Sequence, residues 1–287
     1  MAENTPTVDL SQSVTVFLTT VGAPTFGACL EHLRAQDSTF RLEIIDHVAP
    51  LSAAFQRMLD TCTTPLFVPL DEDMLLYPHA IRTLHERISR EDGHIAAVMA
   101  NLYDVHLRRC IHAVKIFRHG VTRRYPFRDL EGCEVDQVRR MEADGYAIVK
   151  EPQEGGKRTS PGTLGLHGTQ WTPQSIYERY LTLARRCRRD PSKRKWFPPY
   201  TQRFLRRYLK DPSELNFFAL MGPVAAALAG LDGDGREKDF RKYEDLPGWK
   251  HLLAFYREVS AARTESPEAP PETAARREET RASIADS

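Results

Sequence analysis

Residues 65–74 read Pro65-Leu-Phe-Val-Pro-Leu-Asp-Glu-Asp-Met74. The first six form a short apolar run with the length of a buried strand, and three carboxylates follow it without a spacer. Outward toward the N-terminus, Ser13-Val-Thr-Val-Phe-Leu-Thr-Thr20 is β-rich and ends in a turn signal, Val21-Gly-Ala-Pro24. Residues 26–36 place Phe26, Cys29, Leu30 and Leu33 at helical spacing. Arg41-Leu-Glu-Ile-Ile-Asp46 reads as a second strand, and 51–62 as a helix with Ala54, Phe55, Met58 and Leu59 on one face. Beyond the carboxylates, the pattern predicts a helix over 78–89 and a fourth strand over 95–100.

Strand and helix thus alternate three times. Such alternation predicts an α/β fold with a mostly parallel sheet and right-handed crossovers. In an open α/β sheet, ligands bind outside the carboxyl ends of the strands. Thr19-Thr20, Asp46 and Asp71 to Asp73 all fall at such ends, so the pattern brings three polar groups to one sheet edge.

The remainder is more mixed. Residues 101–127 suit a hairpin or edge strand with basic side chains, 134–145 a helix closed by Gly145, and 146–149 a strand. Residues 153–165 hold Gly155, Gly156, Pro161 and Gly162, which predicts a mobile loop. Helix is expected over 173–189 and again over 211–263. The tail from Thr264, with three prolines and many charges, is expected to be disordered. There is no internal repeat.

The chain has 287 residues, 41% hydrophobic and 28% charged, with a net charge of +1. That supports one or two cores and excludes a globally basic nucleic-acid binder. Its five cysteines are scattered without a CxxC pair, which argues against a disulfide framework or zinc finger and for a reducing, cytoplasmic setting. The opening MAENTPTVDLSQS lacks the basic and apolar regions of a secretory signal. The longest largely apolar run, 217–231, is 15 residues and falls short of the roughly 20 needed to span a bilayer.

Adjacent carboxylates repel one another unless a cation sits among them, and Mg²⁺ and Mn²⁺ prefer carboxylate oxygens and bridge readily to phosphate. Alternation along a strand sends Asp71 and Asp73 one way and Glu72 the other. The plainer account is a solvated acidic turn that caps the next helix. Glu131-Gly-Cys-Glu-Val-Asp136 opens a helix, where carboxylates either complement the helix dipole or supply a general base. His167, after the glycine-rich loop, is either an ordinary polar residue or a further ligand for Mn²⁺.

In this order, these stretches resemble the family 2 glycosyltransferases of the GT-A fold. The resemblance runs over 13–170 and rests on Thr19-Thr-Val-Gly-Ala-Pro24, Glu43-Ile-Ile-Asp46, Phe67-Val-Pro-Leu-Asp-Glu-Asp-Met74, Cys133-Glu-Val-Asp136 with Arg140 and Gly145-Tyr-Ala-Ile148, and His167. It implies a nucleotide-sugar-binding catalytic domain over 13–170, a helical basic region over 171–263 and a tail over 264–287. It further implies an inverting, metal-dependent transfer of a sugar from a nucleotide-diphosphate sugar, UDP-sugar favoured, to a glycan or lipid-linked acceptor. Asp46 and Thr19 would contact the nucleotide. Asp71 would hold the ribose or a metal-bound water, and Asp73 and His167 would hold Mn²⁺ or Mg²⁺. Glu134, with Asp136 in the same turn, would stand where the family keeps its base. The family has Asp there, preceded by an acid, whereas this chain has Cys133-Glu134, so Glu131 and Asp129 stand as alternatives. The second strand also lacks the family's D-x-S continuation and reads Asp46-His-Val-Ala49.

Other classes remain. A nucleotidyltransferase would want Lys or Arg in the first turn, and 19–24 has none. A non-catalytic binding protein on a degenerate transferase scaffold would use the basic segment 177–210, with twelve basic residues against two acidic ones. That segment is either a solvated helix face or a contact for an anionic membrane surface or phosphate-rich acceptor. RNA binding ranks lower, because no nucleic-acid module is recognisable.

Overall fold

The computed structural model of the chain describes residues 7–153, 160, 162–189, 194–228, 239 and 248–265. Two compact units are present, Met1–Asp245 and Leu246–Ser287. The first contains β1 (Val8–Asp9), β2 (Val14–Thr20), α1 (Phe26–Arg34), β3 (Ser38–Thr39), β4 (Arg41–Asp46), α2 (Leu51–Thr61), β5 (Leu66–Asp71), β6 (Met74–Leu76), α3 (Ala80–Ser89) and β7 (Ile95–Asp104). It continues with β8 (Arg109–Arg118), α4 (His119–Thr122), α5 (Cys133–Ala143), β9 (Ala147–Lys150), β10 (Thr163–His167), α6 (Pro173–Arg189), α7 (Phe197–Lys210) and α8 (Glu214–Leu228). The described part of the second unit is centred on a single helix, α9 (Trp249–Glu265).

The architecture is the expected α/β one: a mostly parallel sheet flanked by helices, followed by a helical extension. The main sheet has the order β4-β2-β5-β8-β7-β10-β6, with β9 also on β7. Strands β4, β2 and β5 are parallel, as are β7, β9 and β10, while β8 and β6 run against their neighbours. Alternation along each strand divides the core in two. Val14, Val16 and Leu18 of β2 face one cluster with Cys29 and Leu33 of α1 and Ile81, Leu84 and Ile88 of α3. Phe17 faces the other, with Phe55, Met58 and Leu59 of α2 and Cys133 and Met141 of α5. These three layers bury both faces of the central strands.

Two expectations are corrected. The strand expected over 95–100 continues to Asp104 and returns as β8, so the crossover pattern is interrupted by a long hairpin. The loop expected over 153–165 gives way at Thr163 to a strand wedged between β7 and β6. Gly165 permits that close approach, because a Cβ there would lie 2.4 Å from the Leu75 carbonyl oxygen. The rest of that expectation, at 154–159 and 161, lies outside the described residues, as do 266–287 of the tail. The helical content expected over 211–263 is found in α8 and α9, and 229–238 and 240–247 between them are not among the described residues. All five cysteines are buried, and none forms a disulfide.

Helix α6 lays Ile176, Tyr177, Tyr180, Leu181, Ala184 and Cys187 inward. Helix α8 packs against it at Gly222, where a Cβ would come within 2.7 Å of the Leu181 nitrogen. Much of the basic segment holds the fold together. Arg203 donates to the Leu107 carbonyl at 2.7 Å, Arg207 donates to that of His106, and Arg188 donates to that of Ala226.

Candidate active site

Strand register assembles the site. Thr20 pairs with Asp46 and Thr19 with Asp71 across the parallel ends of β4, β2 and β5. On the far side, His167 pairs with Asp104 of β7 and with Met74 of β6. The residue before Met74 is Asp73, so Asp73, His167 and Asp104 stand in a row.

Asp71 and Glu72 take opposite roles. The Thr19 hydroxyl donates to Asp71 Oδ1 at 2.8 Å. Glu72 is buried under the first turn. Its Oε2 accepts from the Thr20 hydroxyl at 2.6 Å and from the Ala23 amide at 2.9 Å, and its Oε1 accepts from the Val21 amide at 2.9 Å. Glu72 therefore fixes the 20–23 loop. The Asp71 carboxyl is pushed up in pKa by burial first, then by the charges of Asp73 and Glu134, against the pull of Thr19 and Lys115. Burial first, then the charges of Asp73, Glu72 and Asp71, push the Cys29 thiol up to about 12, which leaves it protonated and inert.

Asp73 Oδ2 lies 3.4 Å from His167 Nε2. The other ring nitrogen, Nδ1, lies 3.1 Å from Asp104 Oδ2. Asp104 is fully buried and also accepts from Arg179 Nη2 at 2.7 Å and from the Leu107 amide at 2.6 Å. Burial alone would raise the Asp104 pKa, but its bond to His167, the Arg179 charge and the Leu107 amide prevail and hold it at about 2. An ionised Asp104 only accepts, so His167 Nδ1 carries a proton, and Nε2 is turned toward Asp73. Gly168 follows at φ +65°, and a Cβ there would come within 2.2 Å of the Trp171 ring, so this corner requires glycine. Arg179 stacks 4.7 Å from the centroid of that ring.

Two cavities meet at Asp71 and Asp73. One, of about 310 Å³, is bounded by the 19–25 turn, Ile45, Val48, Leu51, Trp171 and Glu178. The other, of about 330 Å³, is bounded by Phe55, Lys115, Glu134, His167, Arg179 and Arg186. Glu134 enters it from the first turn of α5, where Lys115 Nζ donates to Oε1 at 2.5 Å.

The strand ends, the turn before β6 and the start of α5 thus bring Thr19, Asp71, Asp73, His167 and Glu134 to the two joined cavities. Asp46 ends β4 beside this edge, but its side chain is 64% exposed, is held by the adjacent His47, and lines neither cavity. Asp136 lines neither cavity and pairs with Arg140 at 2.8 Å. Glu131 is engaged by Arg189 at 2.8 Å, and Asp129 Oδ1 is 3.4 Å from the Ser52 hydroxyl. Asp104, Lys115, Arg179 and Trp171 were not singled out from the sequence. Asp104 does carry the carboxyl-end signal once β7 is extended to its true end.

A divalent cation fits the chemistry of the Asp73 and His167 donors, a hard oxygen and a neutral imidazole. Among the described residues no group of three or more His, Cys, Asp and Glu side chains is set to hold a metal ion. A cation here would take its other ligands from water and bound phosphate, as Mg²⁺ and Mn²⁺ commonly do.

No family model matches the chain, and no curated protein matches its sequence. Among solved structures, it is similar to the mannosyltransferase PcManGT from Pyrobaculum calidifontis in complex with GDP-Man and Mn²⁺, at 15% identity and a TM-score of 0.46, covering 88% of this chain and 84% of that one. It is also similar to S. aureus TarS 1-349 in complex with UDP, at 12% identity and a TM-score of 0.40, covering 60% of this chain and 64% of that one. A third likeness is to 4-diphosphocytidyl-2C-methyl-D-erythritolsynthase from Anaerococcus prevotii, at 8% identity and a TM-score of 0.37, covering 52% of this chain and 94% of that one. At these identities and TM-scores the likenesses assign no activity.

Proposed function

We propose that the protein is an inverting, metal-dependent glycosyltransferase that moves a sugar from a nucleotide-diphosphate sugar to an acceptor hydroxyl on a glycan or lipid-linked molecule. One observation carries this reading: two cavities meet at Asp71 and Asp73, with His167 turned toward Asp73 by an ionised, buried Asp104. The cavity under the 19–25 turn receives the nucleotide. Thr19 lies in its wall and Trp171 offers an aromatic face. Asp46, outside the cavity at the neighbouring strand end, would reach a base N–H only by leaving His47, and on that contact rests the preference for uridine.

Asp73 and His167 would hold Mn²⁺ or Mg²⁺, which when bound offsets charge on a leaving diphosphate. The chain's own residues do the rest. Glu72 fixes the loop that shapes the nucleotide cavity. Glu134, across the second cavity, takes the acceptor proton as the hydroxyl attacks the anomeric carbon from the side opposite the leaving group. Lys115 holds that carboxylate in place. Attack from the opposite side inverts the anomeric centre.

Among the described residues no helix is long and apolar enough to cross a membrane. Trp196, Leu205 and Leu209 are exposed beside Lys195, Arg206 and Lys210, a composition suited to peripheral contact with an anionic bilayer.

Thermal-shift binding of UDP, GDP, dTDP and CDP, each with and without Mn²⁺, tests the reading. Stabilisation by one nucleotide that depends on the metal supports it and names the donor base. No shift with any nucleotide under either condition overturns it.

A further inference from the structure

We infer that the acceptor carries an oxyanion, a phosphate or a carboxylate, and that Arg186 receives it; this assignment of the acceptor rests on the transferase reading above.

Three cations line the second cavity: Lys115, Arg179 and Arg186. Lys115 is paired with Glu134 at 2.5 Å and Arg179 with Asp104 at 2.7 Å. Among the described residues, no carboxylate pairs with Arg186. The acid nearest in sequence to Gly132, against which Arg186 lies, is Glu131, and it is occupied by Arg189 at 2.8 Å. The Nε of Arg186 is buried and has no hydrogen-bond partner. Arg186 is half-buried, and a buried guanidinium N–H without an acceptor is unfavourable; its planar fork matches a phosphate or carboxylate. The seat beneath it is backbone: the guanidinium lies against Gly132, whose φ of +80° favours glycine, and a Cβ there would make only ordinary contact with it at 3.6 Å.

Helix α6 shows which reactant this anion belongs to. Glu178 lines the nucleotide cavity. Arg179, beside His167, marks the metal end of the second cavity. Arg186 lies about two turns further on, about 10 Å along the axis at 1.5 Å per residue. A diphosphate held near Asp73 and His167 therefore sits at the opposite end of the cavity from Arg186. The anion at Arg186 lies past the sugar, on the acceptor side.

Calorimetric titration of metal-free protein with inorganic phosphate, and separately with acetate, tests this in wild type, Arg186→Gln and Arg186→Lys. At least one anion is expected to bind wild type, about tenfold or more weakly to Arg186→Gln, and to an intermediate degree to Arg186→Lys, which keeps charge but not the fork. Dependence seen with phosphate alone names a phosphorylated acceptor, and dependence seen with acetate names a carboxylated one. Equal binding to wild type and Arg186→Gln, or no binding of either anion to wild type, overturns the assignment. If Arg186→Gln does not fold, unchanged binding in Arg186→Lys overturns it equally. The nucleotide and Mn²⁺ shift of the same proteins separates the two claims. Arg186-dependent anion binding without any nucleotide shift leaves an anion site and removes the transferase reading. A normal nucleotide shift without anion binding does the reverse.

Discussion

Asp73 Oδ2 and His167 Nε2 face each other at 3.4 Å across the junction of two cavities. Asp104 sets this by accepting a hydrogen bond from the other ring nitrogen. A carboxylate oxygen and an imidazole nitrogen this close are at ease only with a cation or proton between them. Asp73→Asn removes the charge and keeps the shape. Its Mn²⁺-dependent nucleotide shift is expected to vanish while its far-UV circular dichroism stays that of wild type. Retention of the full shift would show that the pair does not hold the metal.

Asp104 touches no reactant and acts through His167. Asp104→Asn frees the imidazole to change tautomer or turn. Mn²⁺ affinity, read by calorimetry with nucleotide present, is expected to fall about 10–100-fold, the usual effect of removing the carboxylate behind a ligating histidine. The variant should still bind nucleotide at high Mn²⁺ concentration. Unchanged affinity would mean that packing alone orients the ring.

Asp71 carries a stability penalty. Its folded pKa is raised by burial and by its acidic neighbours, so the folded state binds the proton more tightly than the unfolded chain. Stability therefore declines as pH rises through that value, and at neutral pH the charge opposes folding. Asp71→Asn is expected to melt at a higher temperature than wild type near pH 7.5, without ligand, and to transfer sugar poorly. A lower melting temperature would contradict the electrostatic account.

His106 predicts a pH limb of opposite direction. It is buried, its Nδ1 lies 2.7 Å from the Tyr180 hydroxyl, and burial, helped by the charge of Arg207, lowers its pKa to about 4. Unfolded His titrates near 6.5, so between about 6.5 and 4 the unfolded chain binds the proton first. Stability is full above that window and falls through it, by about 3 kcal/mol if His106 acts alone. In His106→Gln, which keeps an acceptor for Tyr180, denaturant midpoints should lose most of that slope. A slope equal to wild type would assign it to other groups.

Part of this site was legible in the sequence because the strand-end rule brings Thr19 and Asp71 to one edge. Alternation along a strand does not account for the split between Asp73 and Glu72, because β5 ends at Asp71 and residues 72–73 form the turn into β6, and Asp46, though at a strand end, lines neither cavity. What stayed hidden depends on long-range register. Nothing near residue 104 reveals that β10 will insert between β7 and β6, and the glycines at 155, 156 and 162 disguised that strand as loop. The support that Glu72 gives to the 20–23 loop was equally invisible, because it needs β2 and β5 adjacent and parallel. Of the basic segment, neither account describes Arg188, Arg203 and Arg207, which are not simply solvated but bond to backbone carbonyls.

The choice of base is decided by separating binding from chemistry. Glu134 alone among the three acids weighed for the role lines the second cavity, whereas Glu131 is engaged by Arg189 and Asp129 lies toward Ser52. Glu134→Gln keeps the length of the side chain and an acceptor for Lys115 but cannot take a proton. Nucleotide binding with Mn²⁺ should match wild type, and transfer to the acceptor should fall about 10²–10⁴-fold, the usual worth of a positioned base. Glu131→Gln should change transfer far less, and any effect should accompany a lower melting temperature, because it breaks the Arg189 pair that ties α6 to the α5 entrance. A Glu134→Gln protein that transfers at the wild-type rate would move the proton to another group, and equal losses in both variants would point to damage at the α5 entrance.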